Sequence, residues 1–256
     1  MQSLDPYRAG AAFVAAFAAG LINSVAFGGT LVTFPTLIWL GLNSVTANAT
    51  STIAIWPGTV ASSWGFRREL RALESRLFAL LVPSLFGGLA GAWLLRMTPP
   101  WLFDRLVPYL ILFATLLFLA QEPVQRHLRT GGASHQSAKW LLGAGTFQLM
   151  VAVYGGYFGA GIGILMLAAF SVIGLTKVHE MIGLKVLLGG TINAVAVIYF
   201  IWNRMVYWPY AIAMVIGSSA GGYGGAVFAR RLSGVTLRRI VILMGFALAL
   251  LFFIRR

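Results

Sequence analysis

Lys185 has the clearest chemistry in the chain, because it stands inside the apolar run 181–202. An ionisable group within a membrane-length apolar stretch is costly, so its default reading is functional. An ammonium at that depth would offset the charge of an anion. Snorkelling of the lysine stem toward the interface is the competing reading, since about one turn separates Lys185 from the start of its run. Asn193 lies two turns further along a similar face. The acidic residues point the same way by their placement. Asp5, Glu69, Glu74, Asp104, Glu122 and Glu180 all sit at or near the ends of apolar runs. Cation carriers and proton pumps use a carboxylate buried in the membrane, so its absence from deep positions favours an anionic substrate. His179 and Glu180 are candidates for binding a coupling proton near the mouth, with a solvated loop pair as the plainer reading.

Glycine marks a second kind of chemistry. Breaks occur at Gly28-Gly29 and at Gly159-Ala160-Gly161-Ile162-Gly163. A helix that begins inside a membrane leaves amide donors and a partial positive charge at its first turn, and such an end attracts anions. Glycine also lets a ligand approach the backbone closely. Neutral polar residues gather nearby: Asn23 and Ser24 before the first break, Thr30 after it, and Asn48, Thr50 and Ser51 in the next apolar run. Gly28, Gly29, Gly159, Gly161 and Gly163 join them as candidate substrate-binding positions. Bonding of the hydroxyls to carbonyls one turn earlier is the alternative for Ser and Thr. The stripes Gly87/Gly91 and Gly217/Gly221/Gly225 have the small-xxx-small spacing of close helix packing instead.

These positions must be held by membrane helices. Of 256 residues, 59% are hydrophobic and only 10% are charged, against about 25% charged in soluble domains. Too few charges remain to cover a water-facing surface. Apolar segments fall at 9–27, 29–42, 44–65, 77–95, 101–121, 139–158, 160–175, 181–202, 207–228 and 236–254. Two of them, 29–42 and 160–175, reach only about 20–24 Å at ~1.5 Å per residue, short of a roughly 30 Å core. Both short segments follow a glycine break. The sequence also overlays on itself at an offset of 133–134 residues. Gly28, Leu31, Gly41 and Leu42 fall on Gly161, Ile164, Gly174 and Leu175; Ser84 and Gly87 to Ala92 fall on Ser218 and Gly221 to Ala226. Residues 1–121 and 139–256 are therefore read as two membrane repeats joined by a polar cytoplasmic linker, 122–138.

Charge sets the orientation. The net charge is +13, with 19 Lys+Arg against 6 Asp+Glu. Arg67, Arg68, Arg71 and Arg76 crowd one connection, Arg126 and Arg129 the linker, and Arg230, Arg231, Arg238 and Arg239 the connection before the last segment. Placing all three in the cytoplasm satisfies the positive-inside rule. The two halves then have opposite topology, each crossing an odd number of times: five crossings, or three plus a re-entrant hairpin. The expected fold is all-α and integral to the membrane, with inverted repeats and broken helices, an arrangement that puts transporter sites near the midplane.

Other classes fit poorly. The basic residues sit between apolar runs, so no nucleic acid is expected as partner. With no cysteine, disulfides and thiolate chemistry are excluded. Gly217-Ser218-Ser219-Ala220-Gly221 spells a nucleophile elbow, but the motif needs a strand before it and a histidine partner. No metal site and no cofactor are expected. The first apolar run, interrupted by Asn23 and Ser24, reads as retained and not as a signal peptide.

The chain resembles the TauE/SafE family of sulfite exporters. The resemblance rests on Gly28 to Pro35, Gly41-Leu42 and Ala49-Thr50-Ser51 in the first half. In the second half it rests on Gly155 to Gly163, Gly183-Leu184-Lys185 and Ile192-Asn193. Met166-Leu167 stands where many members carry a second proline, and a second Ala-Thr-Ser is absent. The resemblance implies a bacterial inner-membrane carrier whose substrates are sulfite, organosulfonates such as sulfoacetate, and related oxyanions. The expected activity is export by alternating access, with the two halves rocking about a central site. An anion or small-solute channel is the alternative, and an importer of thiosulfate-like anions a further one. The expected partners are the small anionic substrate, the lipid bilayer and a second copy of the chain in a homodimer.

Overall fold

A computed structural model describes residues 5–26, 28–65, 70–71, 75–128, 138–172, 175, 178–228 and 234–254. Among them every regular element is helical. The helices are α1 (Pro6–Ala26), α2 (Thr30–Trp39), α3 (Ser44–Gly65), α4 (Leu81–Met97), α5 (Pro100–Leu128), α6 (Ala138–Tyr157), α7 (Ile162–Val172), α8 (Val178–Trp202), α9 (Trp208–Phe228) and α10 (Gly234–Ile254). A 3₁₀ turn over Ser75–Leu80 leads into α4. Pro6 and Pro100 open their helices and Pro209 is second in α9, where a missing N–H is harmless. Among the described residues, three stretches are long and apolar enough to cross a bilayer: Leu77–Met97, Pro100–Leu117 and Met181–Trp202. One boundary differs from the sequence reading. Helix α5 runs on to Leu128, into the stretch read as linker. Gln121 to Leu128 lose hydropathy but stay helical.

The two short helices are as short as their apolar runs. Helix α2 has 10 residues and α7 has 11, about 15–17 Å each. Helix α2 ends in a Schellman turn: Leu42 N–H donates to Leu37 O at 3.1 Å and Gly41 N–H to Ile38 O at 3.0 Å. Gly41 takes φ +96° there, the left-handed conformation that glycine alone adopts freely. The same closing bond recurs after α7, where Leu175 N–H donates to Phe170 O at 2.9 Å.

Helix pairing crosses between the two sequence halves. Helix α1 packs along α9, and α6 along α4. Helix α3 lies against α8 and α9, α8 against α3 and α4, and α5 against α10. Glycine makes the first two crossings close. The backbone of Gly217 and Gly221 abuts Phe13 and Phe17 of α1, and Gly88 abuts Gly156. Lipid tails are as apolar as leucine, so close van der Waals approach of this kind, not hydrophobicity, drives helix association in a membrane.

Hydrogen bonds fix which turns share an end of the bundle. Asn48 Nδ2, near the start of α3, donates to Tyr157 O at 2.9 Å. Tyr157 Oη lies 3.3 Å from Thr98 Oγ1, after α4. Tyr207 N–H, just before α9, donates to Thr50 Oγ1 at 3.1 Å. The connections near residues 41, 98 and 205 therefore gather at one end. Trp39, Trp93, Trp101, Trp202 and Trp208 lie beside those turns and are 47–86% exposed, as in an aromatic belt at a membrane interface. The arginine-rich connections follow α3, α5 and α9, at the opposite ends of those helices. Because the chain has no native cysteine, single cysteines report sidedness cleanly. A membrane-impermeant maleimide on intact cells should label Pro99→Cys and Arg204→Cys, and Arg71→Cys only after permeabilisation. Equal labelling of all three in intact cells would overturn this orientation.

Candidate functional site

The first break is built around Asn23. Its Oδ1 accepts the Gly29 N–H at 2.7 Å, so α1 caps the start of α2 from the side. Gly29, at the N-cap, has no side chain to do so. A Cβ at Gly29 would lie 2.8 Å from Asn23 Nδ2 and 2.9 Å from Ala19 O. Leu31 and Val32 N–H donate to Gly28 O and Gly29 O, both at 3.0 Å. Three amides near this helix start are thus engaged within the protein, where the sequence had suggested bare donors.

The second break runs from Tyr157 to Ile162. Gly159 and Gly161 take φ +81° and +79°, a region closed to most side chains. Tyr154 Oη donates to Ala160 O at 2.8 Å, and Ile164 N–H to Gly161 O at 3.0 Å. An aromatic cluster wedges the break in place. Phe158 meets Phe34 edge-on at 5.6 Å, and Tyr157 meets Phe103 at 5.5 Å.

The two breaks border one small, partly enclosed hollow. Its walls are Asn23 and Thr30 from the first break, Ile55 and Thr59 from α3, Gly159, Ile162, Gly163 and Met166 from the second break and α7, and Lys185, Gly189 and Asn193 from α8. Lys185 is only 8% exposed. A Cβ on Gly163, the second residue of α7, would lie 3.1 Å from Lys185 Cδ. The lysine stem therefore passes over the first turn of α7, and its ammonium and that helix start act on the same space. The arrangement suits a small anion: one cation, one helix start and neutral amide and hydroxyl groups around them.

Not every candidate residue joins the hollow. Asn23, Thr30, Gly159, Gly163, Lys185 and Asn193 border it. Gly28 is buried behind the first break, with its carbonyl on Leu31. Gly161 backs onto Ala114 and Leu117 of α5. Asn48, Thr50 and Ser51 lie outside its walls. Asn48 bonds Tyr157 O, Thr50 takes the Tyr207 amide, and Ser51 Oγ pairs with Thr33 Oγ1 at 2.6 Å. The side chains of Ser24, His179 and Glu180 lie outside the described residues. Sequence reasoning passed over Thr59, Ile55, Gly189, Ile162 and Met166. The internal offset was the unused signal: Thr59 and Ile55 are the positions 134 residues before Asn193 and Gly189.

The two break glycines should respond differently to a methyl group. Gly29→Ala meets a backbone carbonyl and the capping amide and should destabilise by about 1–3 kcal/mol. Gly163→Ala meets only a flexible lysine stem and should cost far less. Melting of the purified variants in detergent reads the difference, and equal midpoints would contradict the capping arrangement.

A family model described as Sulfite exporter TauE/SafE matches residues 12–252. The chain is 27% identical over 236 residues to a probable membrane transporter protein of Haemophilus influenzae, covering 91% of this chain and 90% of that one. It is 24% identical over 258 residues to the probable membrane transporter protein ORF9 of a Sinorhizobium species, covering 98% and 94%. It is 25% identical over 228 residues to the probable membrane transporter protein YfcA of Escherichia coli K12, covering 87% and 81%. No solved structure matches it. These names describe membrane transporters, not enzymes, and with the family model matching nearly the whole length, the chain belongs to the TauE/SafE sulfite exporter family.

Proposed function

We propose that this chain is a multi-pass carrier of the bacterial inner membrane that exports a small sulfur oxyanion or organosulfonate by alternating access. The hollow between the two breaks is its anion site. One observation carries the reading: the stem of the buried Lys185 lies over Gly163 at the start of α7, beside a hollow that Asn23, Thr30 and Asn193 also border. A buried ammonium and a helix start each favour negative charge beside them, so an anion between the two gains from both. The family description supplies the sulfur oxyanion.

Two inverted repeats fit the pattern of contacts. Helix α1 pairs with α9 as α6 pairs with α4, and α3 meets α9 as α8 meets α4. The walls of the hollow include repeat-equivalent positions from each half, Thr30 with Gly163 and Thr59 with Asn193. Broken helices meeting at the repeat interface are the arrangement of many secondary transporters. Exit of a monoanion from an inside-negative cell is downhill by about 2.3 kcal/mol per 100 mV, so export needs no coupled ion.

Purified protein in liposomes tests the reading. Sulfite or ethanesulfonate flux should saturate with concentration and show counter-transport, whereas a channel would show neither. Lys185→Ala should weaken binding at least ten-fold, about 1.4 kcal/mol, and Lys185→Arg should retain part of it. Unchanged affinity and rate in both variants would remove Lys185 from the site.

A further inference from the structure

We infer that the outer turns of α3 are the gate between the hollow and the outer face, held shut by the side chains of Asn48 and Thr50. The inference rests on the carrier reading above and names the part that must move. The elements that lead from the hollow to the outer end bury their facing side chains. On α3, Ser44, Ala47, Asn48, Ala49, Thr50 and Ser51 are at most 2% exposed. Leu37 of α2 and Phe200 of α8 are wholly buried. Phe34 and Phe158, each close to one of the breaks, meet edge-on and are buried too. In this structure the hollow is therefore shut off from the end where the connections near residues 41, 98 and 205 gather.

Two hydrogen bonds latch this end. Asn48 Nδ2 donates to Tyr157 O, and Thr50 Oγ1 accepts the Tyr207 N–H. Both tie α3 to the second half of the chain, at the end of α6 and at the turn before α9. Hydroxyls in membrane helices commonly bond a carbonyl one turn earlier, as Thr52 Oγ1 does to Asn48 O at 2.9 Å. Asn48 and Thr50 reach across to other elements instead. Such bonds between membrane helices are modest, strong enough to bias a two-state element and weak enough to break in each cycle. Two more polar atoms of the same turns, Ser44 Oγ and Asn48 Oδ1, are buried without a partner among the described residues. A buried polar atom without a partner costs free energy, so the shut position is held with little surplus, and water entering from outside would relieve that cost. Nearer the hollow, Pro57 interrupts the helix. It has no N–H to return to Ile53 O, and helices bend at such places. Trp56 Nε1 donates to Gly190 O at 3.2 Å and Ser218 Oγ donates to Ala54 O. These bonds pin α3 to α8 and α9 beside the proline, so the outer turns move about a fixed pivot.

The test uses the full chain in intact cells with one cysteine placed in the hollow, since the chain has none of its own. The probe is sulfonatoethyl methanethiosulfonate, a small thiol reagent that does not cross membranes. With the gate shut most of the time, Thr59→Cys should react about ten-fold or more slower than Arg204→Cys at the outer turn. Adding Thr50→Val should speed the reaction of Thr59→Cys about three-fold or more, and adding Asn48→Ala should do the same. The two together should reach about ten-fold. Thr50→Ser, which keeps the hydroxyl, should leave the rate unchanged. So should Thr52→Val, which loses only a bond within α3. Equal reaction of Thr59→Cys and Arg204→Cys without latch substitutions overturns the inference, because the outer end would then be open. Unchanged rates in the folded Thr50→Val and Asn48→Ala variants overturn it too, as does a Thr52→Val rate equal to that of Thr50→Val. Each of these leaves the carrier reading standing, which is judged by saturable flux and counter-transport of the native chain in liposomes. Absence of both removes the carrier reading itself, and this inference with it.

Discussion

A backbone amide or carbonyl with no partner cannot persist in a hydrocarbon environment, and the architecture here is an answer to that constraint at two places. Continuous helix satisfies it automatically. A broken helix does not, and each break brings its own partners. The first brings the Asn23 amide to Gly29 and folds Leu31 and Val32 onto the preceding carbonyls. The second brings the Tyr154 hydroxyl to Ala160 O and relies on two glycines with positive φ. The two solutions use different residues for the same requirement.

With the breaks satisfied, side chains are free to differ on the sides that border the hollow. Thr30 and Gly163 occupy corresponding places at the two helix starts, and only the glycine leaves room for a lysine stem to cross. Ile55 and Gly189 differ in the same sense. Glycine on the α7–α8 side opens space that the long side chain of Lys185 occupies. Bulkier residues on the α2–α3 side supply the opposing wall. The hollow owes its polarity to this trade between room and charge.

Much of this was legible in the sequence, for physical reasons that also mark the limits. A charge in an apolar run announces itself by cost, so Lys185 stood out. Glycines preceding a run too short to span announced the breaks. Helix rotation is what residue type does not reveal. Asn48, Thr50 and Ser51 are polar and at the right depth, yet they face neighbouring elements: the α6 end, the turn before α9 and Thr33. Thr59 was overlooked because a threonine in an apolar run commonly bonds to its own helix, as Thr59 Oγ1 does to Ile55 O. Only comparison with Asn193 at the 134-residue offset would have distinguished it. Hydropathy likewise gave no sign that α5 runs on beyond residue 121, because it tracks apolar character and not helix.

The glycine-lined seams bear on how such a molecule could move. Each seam joins a helix of one sequence half to a helix of the other: α1 to α9, and α6 to α4. Where backbones touch with no side chain between them, sliding has no lubricating layer of rotamers and separation leaves a void. A motion that swung the first half as one body against the second would have to peel both seams open. Both seams thus tie the two sequence halves to each other, and a rigid parting of those halves would expose bare glycine backbone along two faces at once.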